Sequence, residues 1–187
     1  LYQGGFIWDY VDQAISARDC RGKEAFLYGG DFGDRPSDYN FSGNGIVFAD
    51  RRVTPKMQEV KFNYQNFDLR PDESGVKIVN KSLFTDAGKY ALVVSLLKGG
   101  VKVWENVLQA EAAPGSEAFV AVKWPSYGPG EYVYTASLVL KQAESWAAAG
   151  HEVAFGQQAV CREAAGGMKD WLAKLPGMDT SLPLATG

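Results

Sequence analysis

"YALVVSLLKGGVKVWENVLQAE", residues 90–111, decides the fold of this chain. Two runs rich in Val and Leu, each of strand length, flank a Lys-Gly-Gly turn. That is a hairpin signature. The same two-residue period extends outward from it. Toward the C-terminus lie "EAFVAVKWP" (117–125), "EYVYTASLVLKQ" (131–142) and "HEVAFGQQAV" (151–160). Toward the N-terminus lie "GVKIVNKSLF" (75–84) and "NFDL" (66–69). Turn signals such as "PDESG", "DAGK", "APGS" and "YGPG" separate most of them. About seven strands in about 95 residues predict an antiparallel β-sandwich of immunoglobulin-like kind over residues 67–163.

Composition bounds the function classes. The chain has 187 residues, 46% apolar and 22% charged, with 13% aromatics. A net charge of −3 gives no electrostatic case for nucleic acid. No apolar run reaches the length a membrane helix needs. Cys20 and Cys161 match no metal or redox spacing and are expected as free, buried thiols. The chain opens on Leu1 inside an apolar run, without an initiator Met or a signal-peptide pattern, and is expected to be an excised piece of something larger.

Residues 1–66 differ in character. Residues 1–50 hold eight acids against four bases, with many glycines. "LYQGGFIWDYV" (1–11) is expected as a strand buried on both faces, and "DYVDQAI" as the start of a helical turn capped by Asp9. "YGGDFGDRPSDYNFSGNG" (28–45) is a long Gly- and Asp-rich loop, of the kind that carries function. "TPKMQEVKFNYQNF" (54–67) predicts a helix with Thr54 as N-cap and Pro55 in its first turn. Residues 164–187 are rich in Gly, Pro, Ala and Ser and are expected as a linker, with a short helix at "MKDWLAK".

The chemistry these residues offer is open at this level. Asp9 and Asp12, or Asp31, Asp34 and Asp38, have the residue type for acid/base work on a glycoside, but aspartates in Gly-rich loops usually cap turns. Trp8 fits a core filler or a platform for a sugar face. "NFSGNG" (40–45) supplies a backbone carbonyl and an Asn side chain, which suit a hard cation or simply a tight turn. His151 is the only histidine and has no nucleophile near it in sequence. "GNG" lacks the spacing and the Lys of a phosphate loop.

Three of these stretches carry a family resemblance. "GGFIWDYVDQ" (4–13), "YGGDFGDRPSDYNFSGNGIVFADRRVTP" (28–55) and "KMQEVK" (56–61) resemble the bacterial β-galactosidases of glycoside hydrolase family 2, in the family's order. The resemblance implies that residues 1–66 are the last strand, loop and helix of a catalytic (β/α)8 TIM barrel. The sandwich then corresponds to the immunoglobulin-like domain that follows, and 164–187 to a linker toward a further β-domain. It implies that Trp8 lines the galactose pocket. It implies that the Phe41 carbonyl and the Asn44 side chain hold a sodium ion that touches the sugar. Both catalytic glutamates, the magnesium ligands and the carboxylate completing the sodium site are expected before Leu1, so no catalytic residue is expected here and neither the Na nor the Mg site is complete in the chain. Ser37, Ser42 and Gly43 depart from the residues of a well-known branch of the family.

The expectation is therefore an inactive fragment of a retaining β-galactosidase that acts on terminal β-D-galactosides. Its partners would be the other domains of the same polypeptide, with no nucleic acid and no membrane; a homo-oligomeric parent is compatible. The compartment is not legible, the bacterial cytoplasm and periplasm both fitting the family. The alternative is a non-catalytic carbohydrate-binding or scaffold sandwich. That reading needs exposed aromatics among Trp104, Trp124, Tyr127, Tyr132, Tyr134 and Trp146, most of which are expected instead in the core or between domains.

Overall fold

Residues 9–15, expected to open a helix behind an Asp9 cap, instead run without helix into a β-hairpin of strands β1 (Ile15–Arg18) and β2 (Glu24–Leu27). The structure, a computed structural model, describes residues 3–39 and 41–162. The linker expected over 164–187, with its helix at 168–174, lies outside the described residues. The chain divides into two compact units, Leu1–Tyr64 and Gln65–Gly187.

In the first unit the hairpin is antiparallel, Ile15 facing Leu27 and Arg18 facing Glu24. Its turn is built by Asp19, whose Oδ1 accepts from the amides of Arg21 (2.8 Å) and Lys23 (2.9 Å). Gly22 supplies the positive φ of 76° that the turn needs. The D-x-x-G spacing of "DCRG" was the signal for it. Residues 4–11 carry no strand of their own; Val11 makes one parallel bridge to Val47. The reason is physical. A parallel strand needs neighbours on both edges, and the described residues supply one bridge. Phe6 is accordingly fully exposed and Trp8 is 73% exposed.

Helix α1 (Lys56–Tyr64) starts where the sequence pattern puts it. Thr54 Oγ1 accepts from the Lys56 amide (3.3 Å) and donates to the Ile46 carbonyl (2.5 Å). No residue of α1 is buried.

One prediction arises here. Among the described residues, no amide of Phe6–Val11 donates a backbone hydrogen bond, whereas those of Asp12 and Gln13 donate to Val47 and Ser42 at 3.0 Å. In the isolated chain, hydrogen exchange is expected to be fast across 6–11 and slower at 12 and 13. Uniformly slow exchange over Phe6–Val11 in a monomer would contradict the orphaned-strand reading.

The second unit is a two-sheet sandwich. One sheet has the order β3 (Phe67–Pro71), β4 (Gly75–Asn80), β7 (Glu117–Ala121). The other has the order β6 (Val101–Gln109), β5 (Tyr90–Lys98), β8 (Gly130–Leu140), β9 (Glu152–Arg162). Each pair is antiparallel. Alternate residues point inward, so Val76 and Ile78 of β4 share a core with Leu92 and Val94 of β5 and Leu138 and Leu140 of β8. Buried Asn80 is satisfied: its Nδ2 donates to the Thr85 and Ala112 carbonyls (2.8 Å each) and its Oδ1 accepts from the Ser82 amide (2.9 Å). At the unit's start, Gln65 mimics a strand. Its Nε2 donates to the Phe155 carbonyl (3.0 Å) and its Oε1 accepts from the Phe155 amide (2.9 Å).

Candidate functional site: the Trp8 segment and the 41–47 turn

The site is assembled in the first unit by two stretches about 33 residues apart in sequence. The Ile46 and Val47 amides donate to the Tyr10 carbonyl (3.0 Å each), and the Asp12 amide returns a bond to Val47. Gln13 donates to the Ser42 carbonyl (3.0 Å). Trp8 and Asn44 thus flank one backbone seam: Trp8 stands one residue before Asp9, whose carbonyl also accepts from the Ile46 amide (3.3 Å), and Asn44 stands three residues before Val47.

Within the turn, Asn44 Nδ2 donates to the Phe41 carbonyl at 2.8 Å, so the two residues expected at a cation are neighbours. The Phe41 ring is exposed while Asn44 is half-buried. The donor chemistry fits a hard monovalent cation in part. Turning the Asn44 amide end over would set Oδ1 beside the Phe41 carbonyl, two neutral oxygens that repel unless a cation lies between them. Two oxygens are not a full coordination sphere. For magnesium the fit fails: among the described residues no group of three His, Cys, Asp or Glu side chains gathers to hold a metal.

Several singled-out aspartates serve turns. Asp31 Oδ2 accepts from the Tyr28 amide (2.9 Å) and both Asp34 oxygens accept from the Gly30 amide (3.1 and 3.2 Å). Asp12 does something the sequence gave no sign of. Its Oδ1 accepts from the Gly45 amide at 2.7 Å, beside Asn44. Lys56, at the start of α1, donates through Nζ to the Gly45 carbonyl. No local spacing signals either contact, because both join residues far apart in sequence. Asp9 Oδ2 is buried without a hydrogen-bond partner among the described residues.

A cavity of about 430 Å³ opens nearby, lined by Asp12, Gln13, Phe26, Tyr28, Ser42 and Phe48 among others. Trp8, Phe41 and Asn44 do not line it. In the second unit, Tyr134 is buried against Trp124 and its hydroxyl meets that of Tyr127; burial first, then that hydrogen bond, pushes the Tyr134 pKa up.

The chain thus joins an exposed tryptophan and a turn rich in oxygen donors to an antiparallel β-sandwich. Comparison with known proteins makes this specific. The family described as "Glycosyl hydrolases family 2, TIM barrel domain" matches residues 1–69, and "Beta-galactosidase, domain 4" matches residues 76–160. The chain belongs to glycoside hydrolase family 2. It is 52% identical over 160 residues to a β-galactosidase of Halalkalibacterium halodurans, covering 84% of this chain and 16% of that protein. It is 49% identical over 161 residues to one of Clostridium acetobutylicum, covering 86% of this chain and 18% of that protein. A Streptococcus thermophilus β-galactosidase is 46% identical over 160 residues, covering 85% of this chain and 16% of its own length. The chain therefore spans about one-sixth of the length of these relatives. Among the described residues no helix is long and apolar enough to cross a membrane.

Proposed function

We propose that this chain contributes the sugar platform and half of a cation site to a retaining β-galactosidase that hydrolyses terminal β-D-galactosides. In this reading residues 1–66 close the catalytic barrel, 67–163 form the immunoglobulin-like domain, and 164–187 lead to a further β-domain. The observation that carries it is the Asn44–Phe41 pair (2.8 Å), seamed by backbone hydrogen bonds to the segment that bears Trp8. In this reading Trp8 is at the C-terminal end of the last barrel strand, where substrates of this fold bind, and the pair lies beside it.

The residues divide the work. Trp8 offers an apolar face to the C–H surface of galactose. The Phe41 carbonyl and Asn44 Oδ1 are the atoms that would hold sodium, which when bound offers a positive charge to a sugar hydroxyl. The two glutamates of a retaining mechanism, about 5 Å apart, belong in this reading to earlier barrel strands of the full-length enzyme, as do the magnesium ligands. The isolated chain is then inactive.

The alternative, a non-catalytic sugar-binding sandwich, finds little surface to use. Tyr132 and Tyr134 are each 3% exposed, and Trp104 and Trp124 are half-buried against each other at 5.4 Å. Trp146 is the exposed exception, edge-on to His151.

The test is an assay of the full-length protein on nitrophenyl β-galactoside and β-glucoside, with the product anomer read by NMR. Hydrolysis of the galactoside with retention, and none by the isolated chain, is the expected result. Inversion or a glucoside preference would overturn the reading. Galactoside binding by the isolated chain that vanishes in Trp104→Ala or Trp124→Ala would favour the binding module.

A further inference from the structure

We propose that Asp12 and Lys56 are positioning residues that clamp the Phe41–Asn44 turn against the Trp8 segment, and so set galactoside affinity without touching the sugar. The inference rests on the reading above that Trp8, Phe41 and Asn44 face the ligand.

The clamp closes on one residue. Gly45 follows Asn44 and is buried. Its amide is held by a carboxylate, Asp12 Oδ1, at 2.7 Å. Its carbonyl is held by an ammonium, Lys56 Nζ. Opposite charges therefore grip the two ends of a single residue. Both are charge-assisted hydrogen bonds, the stronger kind. The jaws come from different elements: Asp12 lies four residues after Trp8, and Lys56 lies in the first turn of α1.

The fit leaves no slack. A Cβ on Gly45 would lie 2.3 Å from Asp12 N, 2.4 Å from the Val47 carbonyl oxygen and 2.7 Å from Asp12 Oδ1. Only glycine allows so close an approach. The position of Lys56 is informative too. The first turn of a helix is its positive end, where an ammonium is disfavoured. A carbonyl held there offsets that cost. Thr54, the cap of the same helix, fixes the next carbonyl, that of Ile46, at 2.5 Å. So the N-terminus of α1 takes hold of two successive carbonyls immediately after Asn44.

The functional consequence follows from pre-organisation. With the clamp intact, the Phe41 carbonyl and the Asn44 side chain are already in place relative to the Trp8 segment. Without it, each binding event must order the turn, and that entropic cost weakens binding. The weakening acts on ground state and transition state alike, so it appears in KM and not in kcat.

The experiment uses the full-length enzyme carrying Asp12→Asn, Lys56→Met or Lys56→Arg. On o-nitrophenyl β-galactoside, Asp12→Asn and Lys56→Met are expected to raise KM about tenfold with kcat little changed. The half-saturating sodium concentration rises with KM, and the melting temperature stays near that of wild type. Lys56→Arg, which keeps a cationic donor, restores most of the affinity. Hydrogen exchange at the Gly45 amide is expected to quicken in Asp12→Asn, a readout independent of activity. Wild-type KM with unchanged Gly45 exchange overturns the clamp. So does a KM rise that comes only with a fallen melting temperature and is not rescued by Lys56→Arg, which makes the pair merely structural. A wild-type enzyme inert to β-galactosides instead overturns the parent reading, and with it the pocket the clamp would serve.

Discussion

Replacing Trp8 by alanine in the full-length enzyme is expected to lower kcat/KM on aryl β-galactosides about a hundredfold. In the proposed reading the exposed indole face is what the chain offers to the sugar. Trp8 is 73% exposed, and no aromatic or hydrogen-bonded partner holds its side chain among the described residues. A residue with so few internal contacts contributes little to the stability of the unit that carries it. Its removal therefore separates binding from folding. Losing a stacked face plus its buried area amounts to about 3 kcal/mol of transition-state stabilisation, which is about two decades in rate. Trp8→Phe keeps an apolar face of smaller area and is expected to lose about tenfold. Steady-state kinetics on the purified variants, with a thermal melt of each, checks both. Wild-type kcat/KM in Trp8→Ala would remove the platform role.

The second large effect is on stability. Gly156→Ala is expected to lower the melting temperature of the sandwich by about 10–20 °C. Strands β9 and β3 approach so closely that a Cβ at Gly156 would sit 1.8 Å from the Leu69 carbonyl oxygen and 2.8 Å from its carbon. Those are backbone atoms, so no side chain can turn aside to make room. Relief requires the two strands to part, which costs about 3 kcal/mol or more. Gly115→Ala is the control. Gly115 has φ of 71° but nothing within 4 Å of an added Cβ. Its loss is limited to the left-handed backbone penalty, about 1–2 kcal/mol. A thermal melt by near-ultraviolet circular dichroism distinguishes them. Equal melting temperatures for the two variants would mean that β3 and β9 do not pack this closely.

The sandwich was legible because its information is local. Leu92, Val94 and Leu96 in β5 alternate with less buried residues, and Gly99–Gly100 stand at the turn before β6. The seven strands described in the second unit fall on the stretches that the two-residue period marks. The first unit was legible by resemblance more than by pattern. Thr54 and Pro55 announced α1 through capping chemistry, which is also local. The β1–β2 hairpin was missed because "DYVDQAI" has the composition of a helix start, while the Asp19–Gly22 turn that decides the matter comes later. Over the described residues 3–11 the expected strand does not form, for a non-local reason: a single bridge, Val11 to Val47, pairs this stretch with other described residues. At the site, Trp8, Phe41 and Asn44 were nameable through the resemblance. The Asp12–Gly45–Lys56 clamp was not, because its members are 33 and 11 residues apart and no periodicity joins them.

The Gln65–Phe155 pairing has a consequence for synthesis. The two residues are 90 positions apart, and Phe155 belongs to the last of the described strands to leave the ribosome. At about 5–20 residues per second, that is a wait of roughly 5–20 s. Throughout it the chain just after α1 has been made, but the strand that Gln65 fastens to has not. The side chain that substitutes for a rung of backbone is therefore a latch thrown only when the sandwich is finished. A ribosome stalled before Phe155 emerges would leave the Gln65 side chain without this backbone partner.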